Sequence, residues 1–433
     1  MPPAPTPISP PRRSSLTRLL LLLPTTTYRT TAFVEAARAL GIELTVASER
    51  PSTFERERPA DLVTLELGKP ERAAVEASAF AARHPVQAVL GVDDDTVVAA
   101  AAIAERLGLR GLPLPVALAA RDKHLQRVTL EARGVPVPGF SVHPVDADPL
   151  AIAAETRFPC VVKPLRLAAS RGVIRADDPA GFVAAFRRLA AILAEPDASA
   201  CGPPARQILV EEFVPGREVA LEGLVMGGRL HTLALFDKPD PLDGPFFEET
   251  IYVTPSRLPR EAQEAIADCA ARAAAALGIT EGPVHAELRW NDRGPWLIEL
   301  GARPIGGRCS AVLRFGSEAG SGKSASLEEI VLRHAMGLAL PNFEREPTPA
   351  GVMMIPVPGA GRLREVRGVA EARGVPLIED VAITAHPGQT LVPWPEGSRY
   401  PGFIFARGPT PAAVEAALRA AHGKLTFALD PAP

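Results

Sequence analysis

Lysine is scarce in this chain of 433 residues. Six lysines stand against 41 arginines. Because a lysine is a compact point charge and an arginine a planar fork, the few lysines are either candidates for specific roles or remnants of a compositional bias. The basic and acidic side chains, 47 and 50, leave a formal net charge of −3. This balance excludes a dedicated nucleic-acid-binding arm, and the hydrophobic fraction of 47% excludes a wholly disordered chain. We expect a folded protein of two or three domains with no nucleic-acid partner.

Cysteine and long apolar runs are also sparse. The cysteines are Cys160, Cys201, Cys269 and Cys309. No C-x-x-C pair occurs among them, which excludes a zinc knuckle and a redox motif of that kind. The leucine run Leu19–Leu23 is shorter than a signal peptide or a membrane span requires. We therefore predict a cytoplasmic protein with reduced cysteines and no membrane partner.

The apolar pattern divides the chain into segments. Residues 1–15 read as a disordered tail, and residues 16–118 alternate short apolar runs with alanine-rich helical stretches. Strands separated by helices of this length predict parallel βαβ units, so the fold class is α/β. Beyond them, Gly227-Gly228 predicts the turn of an antiparallel hairpin, and residues from about 345 to 433 mix short strands with one helix.

One segment of the sequence nearly matches a phosphate-binding motif but lacks one of its glycines. Residues 316–324 end in Gly-Lys-Ser, but Ser317 stands where the P-loop motif requires its first glycine. We interpret this segment as a Gly/Ser surface loop.

Two glutamates on successive strand-like runs form a candidate metal site. Alternation along neighbouring antiparallel strands can aim Glu287 and Glu299 at one point and turns His285 to the face of Glu287. Two carboxylates together with phosphate oxygens are typical of Mg²⁺ sites, and Arg303, four residues after Glu299, suits the charge of a phosphoryl transfer. The alternative is a pair of edge-strand glutamates that face solvent.

Two further segments could bind a nucleotide. Lys163 ends an apolar strand shortly before residues 170–173 and could meet phosphates, or it could simply extend to water. Residues 211–218 leave a strand through two acids and a Pro-Gly turn. This exit could line an adenine slot, or it could be an ordinary charged strand end.

Taken together, the order and spacing of these segments resemble the ATP-grasp superfamily. The matching stretches are RDKHLQR, FPCVVKP, ILVEEFVPGREVALEG, GPVHAEL and LIELGARPIGG. The flanking sequences resemble the carboxylate–amine ligases of the L-amino acid ligase (dipeptide synthase) type. The resemblance implies an N-terminal parallel-sheet domain (16–118), a central α+β ATP-grasp domain (119–343) with a lid at about 135–212, and a small C-terminal α+β domain (344–433).

The resemblance also assigns roles to individual residues. Those assigned to ATP are Lys123, Lys163, Ser170, Arg171, Gly172, Glu211, Glu212, Phe213, Val214 and Glu218. Those assigned to the substrates are Lys238, Glu248, Glu249, His285, Gly306, Gly307 and Arg308. Glu287 and Glu299 would hold Mg²⁺, or Mn²⁺ in its place, and Arg303 would stabilise the transferring phosphoryl group.

The chain departs from the family pattern at two places. Alanines stand at 168 and 169 of the covering loop (residues 167–173), where the family commonly has glycines, and Gly301 stands where many members have an asparagine metal ligand. The first departure bears on the flexibility of the loop. The second implies that the metal relies on the two glutamates.

The activity implied is an ATP-dependent ligase that joins a small-molecule carboxylate, expected to be an amino acid, to an amine through an acyl phosphate, releasing ADP. The alternatives are a biotin-carboxylase-like enzyme that activates bicarbonate and a non-catalytic nucleotide-binding module. The identity of the two substrates and the oligomeric state stay open, with a homodimer as one prediction.

Overall fold

The computed structural model of the protein describes residues 17–25, 27–317, 324–340 and 342–431. The predicted tail at 1–15 and most of the loop at 316–324 lie outside these ranges. Within them, no helix combines the length and the apolar character needed to cross a membrane.

The first part of the chain is a four-stranded parallel sheet with helices packed on it. Its elements are β1 (Arg18–Leu22), α1 (Thr30–Leu40), β2 (Glu43–Ser48), β3 (Leu62–Thr64), α2 (Pro70–Ala81), β4 (Ala88–Gly91) and α3 (Asp94–Leu107). The strand order is β3-β2-β1-β4 and every pairing is parallel. Four leucines of β1 are fully buried, as expected for a strand covered on both faces. The predicted parallel βαβ arrangement is confirmed.

Two helices join this sheet to the centre of the molecule: α4 (Leu114–Arg121) and α5 (Lys123–Ala132). Asp122 separates the two helices. Asp122 is extended, and its carboxylate accepts hydrogen bonds from the backbone N–H groups of His124 and Leu125. An aspartate with this conformation begins a helix, so Lys123 is the first residue of α5.

A second, smaller sheet follows and lies within the predicted lid segment. Its elements are β5 (Phe140–Pro144), α6 (Pro149–Glu155), β6 (Cys160–Pro164), β7 (Ile174–Ala176), α7 (Pro179–Leu193), α8 (Pro196–Ser199) and β8 (Gln207–Glu212). The strand order is β5-β8-β6-β7 and all pairings are antiparallel. Phe182, Phe186 and Leu189 of α7 pack on this sheet in one apolar cluster.

The largest sheet has eight antiparallel strands. The elements of the chain after β8, some of which lie outside this sheet, are β9 (Arg217–Met226), β10 (Arg229–Asp237), β11 (Ile251–Thr254), α9 (Arg260–Leu277), β12 (Gly282–Asn291), β13 (Gly294–Gly301), β14 (Phe315–Ser317), β15 (Ser324–Ala325), α10 (Leu327–Ala335), β16 (Ala350–Met354), β17 (Gly361–Arg367), α11 (Val369–Arg373), β18 (Ile378–Ile383), β19 (Thr390–Leu391), β20 (Gly402–Arg407), α12 (Pro411–His422) and β21 (Thr426–Asp430). The strand order is β13-β12-β9-β10-β11-β16-β20-β18. The predicted hairpin turn at Gly227-Gly228 joins β9 to β10.

The eight-stranded sheet crosses the predicted boundary at residue 344. Strand β11 pairs with β16, which brings β16, β20 and β18 into the sheet. Three other strands of this region, β17, β19 and β21, form a small sheet of their own. The mixed C-terminal segment is therefore continuous with the centre of the molecule through backbone hydrogen bonds.

The two faces of the large sheet differ in polarity. On one face, Val219, Leu221 and Leu288 pack with Ile266 and Ala270 of α9 in an apolar cluster. Because side chains alternate along a strand, the residues next to these in the two strands point to the opposite face. Several of those residues are charged.

Candidate active site

The polar face of β9, β12 and β13 brings together residues that are distant in sequence. The register pairs Glu287 with Glu299, and it pairs His285 with Glu222 and Arg289 with Glu218. The side chains of Glu287 and Glu299 are 22% and 31% exposed. The two carboxylates therefore lie opposite one another, as the alternation predicted, and they are partly shielded from solvent although β13 is the edge strand of the sheet.

A buried group with excess positive charge lies under the smaller sheet. The Lys163 Nζ atom is 2.6 Å from Glu211 Oε2, and the Arg127 Nε atom donates to Glu211 Oε1 at 2.6 Å. All three side chains are buried. Burial lowers the pKa of Lys163 and the charge of Arg127 lowers it further, although Glu211 opposes both. Burial would raise the pKa of Glu211, but Arg127 and Lys163 hold it below its usual value. Two cations on one carboxylate leave a charge suited to a phosphate group.

Lys123 connects the carboxylate pair to the covering loop. Its Nζ atom lies 2.9 Å from Glu299 Oε1 and donates to the backbone carbonyl of Leu167 at 3.0 Å. Within the loop, Ala169 and Ser170 have φ of 53° and 55°. These two residues thus adopt the left-handed conformation that favours glycine, at positions without glycine.

An acidic cluster surrounds Lys238. The Lys238 Nζ atom lies 2.9 Å from Glu218, 2.7 Å from Glu249 and 3.5 Å from Glu287. Burial would lower the pKa of Lys238, but the three carboxylates raise it well above its usual value. Oxygens of these three glutamates lie within 4.8 Å of one another. Three carboxylates around one lysine leave an excess of negative charge, which suits a divalent cation or a substrate ammonium group.

Arg303 is held from the side of the N-terminal sheet. Its Nε atom donates to Asp94 Oδ2 at 2.9 Å. Burial would lower the pKa of Arg303, but the charges of Asp94, Glu299 and Glu287 hold this pKa above its usual value. Arg29 fixes the next residues, because its guanidinium donates to the carbonyl of Ile305 at 2.7 Å and to that of Pro304 at 3.1 Å.

The segment after Arg303 makes a tight bend beside the site. Gly307 and Arg308 have φ of 59° and 55°. A Cβ atom on Gly307 would lie 2.6 Å from Met354 Sδ, so this position favours glycine. The Arg308 guanidinium lies over the rings of Phe403 and Phe405 of β20, at 5.6 and 4.9 Å from their centroids.

His285 and Glu222 form a buried pair below the carboxylates. Burial, together with Arg303 and Lys238, lowers the pKa of His285 to about 3, so the imidazole is neutral. Burial raises the pKa of Glu222 well above its usual value, while Glu222 Oε2 accepts a hydrogen bond from the backbone N–H of Ile305 at 3.0 Å. His285 Nε2 is 3.5 Å from Glu287 Oε1, which places this pair behind a proposed metal ligand.

Some residues assigned from the sequence lie elsewhere. Glu212 points away from Lys163, because it alternates with Glu211 along β8, and it meets Arg157 at 3.2 Å. The Arg171 side chain turns away from the large sheet and pairs with Glu195 and Asp197, each at 2.6 Å. The structure thus does not bring these two side chains to the site.

Other assigned residues occupy the edges of the site. Phe213 has Arg175 and Arg289 over its ring, at 4.1 and 4.9 Å from the centroid, and the carbonyl of Val214 accepts from Arg289 at 2.9 Å. Glu248 does not join Glu249 at Lys238 but accepts from the backbone N–H of Val357 at 2.8 Å.

Sequence reasoning missed several charged partners in the site. Arg127 lies one helical turn after Lys123, and this spacing places both on one face of α5. Arg289 lies two residues after Glu287 on β12, so alternation puts it on the polar face, where its Nε atom is 2.9 Å from Glu218 Oε2. No comparable pattern in the sequence pointed to Asp94, because its partner Arg303 lies 209 residues away.

Three family profiles match successive parts of the chain. Residues 34–111 match an ATP-grasp N-terminal domain, residues 156–312 an ATP-grasp domain, and residues 353–430 the L-amino acid ligase C-terminal domain 2. The three profiles follow one another in the same order as the three domains that the sequence resemblance implies.

Known proteins that are similar to this chain are consistent with these profile matches. The crystal structure of L-amino acid ligase from Bacillus licheniformis superposes with a TM-score of 0.77 at 27% identity, over 96% of this chain and 99% of that one. Alanine–anticapsin ligase of Bacillus subtilis is 29% identical over 253 residues, 55% of this chain and 53% of that protein. Dapdiamide A synthase of Enterobacter agglomerans is 31% identical over 196 residues, 44% and 43% of the two chains. The chain thus spans about half the length of these two curated relatives.

The polar sheet face, the positively charged group under the smaller sheet and the matched profiles lead to one assignment. The chain contains ATP-grasp domains, and its C-terminal part matches the L-amino acid ligase C-terminal domain 2.

Proposed function

We propose that the protein is an ATP-dependent ligase that joins the carboxylate of an amino acid to an amine and releases ADP and phosphate. One observation carries this proposal: the buried Lys123 contacts Glu299 at 2.9 Å, close to two further cations. The charge of Glu299 also raises the pKa of the buried Lys163 and of the partly buried Arg303. Such a cluster neutralises the charge that develops when a phosphoryl group passes between two oxygens.

The first step in this proposal is phosphoryl transfer. A substrate carboxylate oxygen attacks the γ-phosphorus of ATP, the bond to the bridging oxygen breaks, and an acyl phosphate and ADP form. Lys163 and Lys123 would bind the phosphates from the side of the smaller sheet. Arg303 would hold the transferring group from the other side, because Asp94 and the carbonyl of Pro304 orient its guanidinium.

The second step is amide formation. The amine nitrogen attacks the acyl carbon, the carbon–oxygen bond to phosphate breaks, and the nitrogen loses a proton. Because water can attack the same carbon, the site must exclude it. The covering loop would do so, and Lys123 would help to hold it in place through its hydrogen bond to the Leu167 carbonyl.

The residues fit a magnesium ion. Glu287 and Glu299 would hold it, since they face one another across β12 and β13, and Mn²⁺ would fit the same oxygen donors. When bound, Mg²⁺ would supply charge neutralisation at the phosphate oxygens.

The substrate side of the proposal rests on the acidic cluster and on the relatives. Glu249 and Lys238 present opposite charges side by side, which suits the ammonium and carboxylate groups of amino acids. The names of the relatives include an L-amino acid ligase and an alanine–anticapsin ligase, and we extend amino acid substrates to this chain. A homodimer and a cytoplasmic location stay predictions.

The proposal is tested by incubating the purified protein with ATP, Mg²⁺ and pools of amino acids. We expect ADP release only when a carboxylate and an amine are both present, with ADP, phosphate and an amide formed in equal amounts. A coupled assay measures ADP, and mass spectrometry of the mixture identifies the amide. Pools without amino acids serve as the control.

Two results would contradict the proposal. ADP release that is stimulated by bicarbonate and needs no amine would point to a carboxylase. Tight ATP binding without ADP under every substrate mixture would point to a nucleotide-binding module.

A second prediction concerns Lys163. Replacement by arginine keeps the charge but forces a larger planar group into a site that is 4% exposed and already holds Arg127 against Glu211. Because overpacking of a buried site costs about 1–3 kcal/mol, we expect Lys163→Arg to raise the KM for ATP by about ten-fold or more. Steady-state kinetics with ATP as the varied substrate measures this effect.

The control for Lys163→Arg is Lys69→Arg, the same exchange at a side chain that is 66% exposed. If both variants kept wild-type kinetics, the role of Lys163 in phosphate binding would be refuted.

A further inference from the structure

The covering loop contacts a segment of the C-terminal part of the chain. We call residues 393–397 the strap. The strap is a tight turn in which the backbone N–H of Gly397 donates to the carbonyl of Pro393 at 2.9 Å. A Cβ atom on Gly397 would lie 1.8 Å from the carbonyl oxygen of Val392. The turn therefore requires glycine here, and it presents Trp394, Pro395 and Glu396 together.

Three successive strap residues hold the smaller-sheet side of the site. Trp394 Nε1 donates to the carbonyl of Ala169 at 2.7 Å, and the backbone N–H of Gly172 donates to the carbonyl of Pro395 at 2.8 Å. Glu396 accepts two hydrogen bonds from Arg188 of α7, at 2.6 and 2.8 Å. The strap thus contacts both the covering loop and the helix that packs behind it.

The conformation of the loop explains why such contacts matter. Ala169 and Ser170 are held at positive φ, where a residue with a Cβ atom is strained. A strained loop keeps its shape only if its surroundings hold it. Lys123 holds it at Leu167, and the strap holds it at Ala169 and Gly172.

Trp394 also connects the loop to Tyr400. Its ring packs against Tyr400, with 4.9 Å between centroids. Burial, and then the charges of Glu249 and Glu248, raise the pKa of Tyr400 well above its usual value. The strap therefore contacts the covering loop through the Trp394 N–H group and Tyr400 through the Trp394 ring.

We propose that Trp394 is a positioning residue that keeps the covering loop closed over the acyl phosphate, so that the amine and not water reaches the acyl carbon. This inference rests on the proposed ligase function. If the loop opens early, water adds to the acyl carbon, the carbon–oxygen bond to phosphate breaks and one proton is released. ATP is then spent and the carboxylate is regenerated without an amide.

The test is the ratio of ADP to amide in Trp394→Phe. Phenylalanine keeps an aromatic ring against Tyr400 but removes the N–H group that bonds to Ala169. We expect amide formation to fall by about five-fold, the change that corresponds to one hydrogen bond, while ADP release falls less. The ADP-to-amide ratio therefore rises, whereas a variant that is merely less folded would lower both rates together.

Trp296→Phe is the matched control, because the Trp296 Nε1 atom is buried without a hydrogen-bond partner among the described residues. We expect it to keep the wild-type ratio. Should Trp394→Phe fold poorly, Glu396→Arg tests a second contact of the strap, the ion pair with Arg188 on the surface, and we expect a ratio raised by about two-fold. The exchange Arg188→Glu in that variant should restore the ratio.

Hydrogen exchange separates this inference from the proposed function. In Trp394→Phe the amide of Gly172 should exchange faster than in the wild type, whether or not any amide product forms. A wild-type protein that makes no amide would refute the ligase proposal alone. A Trp394→Phe protein with the wild-type ratio and wild-type exchange at Gly172 would overturn the inference.

Discussion

Replacing Arg303 by alanine is expected to lower kcat by about 10²–10³-fold, which is the loss typical of removing one pre-oriented donor from a charge-stabilising site. The guanidinium is partly buried and is oriented by Asp94 at 2.9 Å, so it would meet the phosphoryl group without having to reorganise. Its pKa is held above the usual value, and the charge is therefore present across the working pH range. Amide formation at saturating ATP and amino acids measures the effect.

Arg303→Lys separates the charge from the shape of the group. Lysine keeps a positive charge, but its single ammonium group lacks the rigid planar fork with which a guanidinium can bond to Asp94 and to a phosphoryl oxygen at the same time. We expect an activity between those of Arg303→Ala and the wild type. Arg272→Ala removes an arginine from an exposed ion pair on α9 and controls for general effects. Wild-type kcat in Arg303→Ala would contradict the proposed role.

Exchange of Glu287 for glutamine is expected to reduce turnover by on the order of 10²-fold, because a carboxylate that would bind the metal becomes a neutral amide of the same size. Glu287 lies opposite Glu299 and 3.5 Å from Lys238, so the change also lowers the negative charge around that lysine. A Mg²⁺ titration of ADP release should therefore show a higher requirement for the ion, relieved in part at high Mg²⁺ or Mn²⁺.

Two further variants make the Glu287 result specific. Glu299→Gln should raise the Mg²⁺ requirement in the same way and also release Lys123, its partner at 2.9 Å, so we expect a higher KM for ATP as well. Glu264→Gln changes an exposed carboxylate on α9 and should leave both quantities unaltered. An unchanged Mg²⁺ titration in Glu287→Gln would rule out this glutamate as a metal ligand.

The candidate site could be predicted from the sequence only in part. Alternation alone predicts that Glu287 and Glu299 share a face, since the two strands are joined by a short turn. It did not separate Glu211 from Glu212, although neighbouring residues on a strand point to opposite faces. The structure buries Glu211 against Lys163 and leaves Glu212 at the surface with Arg157.

Contacts between distant segments were beyond sequence reasoning. Arg127 and Glu211 are 84 residues apart, and Arg303 and Asp94 are 209 apart. Apolar periodicity shows which face of a helix or strand is buried, but it does not show which other element covers that face. The partners of Arg127 and Arg303 therefore became visible only in the folded chain.

By itself the sequence determined the element types, the parallel N-terminal sheet and the order of motifs that resembles the ATP-grasp superfamily, because these depend on local propensity and spacing. Of the six lysines, it singled out Lys123, Lys163 and Lys238 through the segments that contain them. Only the tertiary structure decided that β16, β20 and β18 extend the central sheet and that the strap meets the covering loop. Strand pairing and loop docking join residues far apart in the chain, so their energies depend on packing that no local pattern encodes.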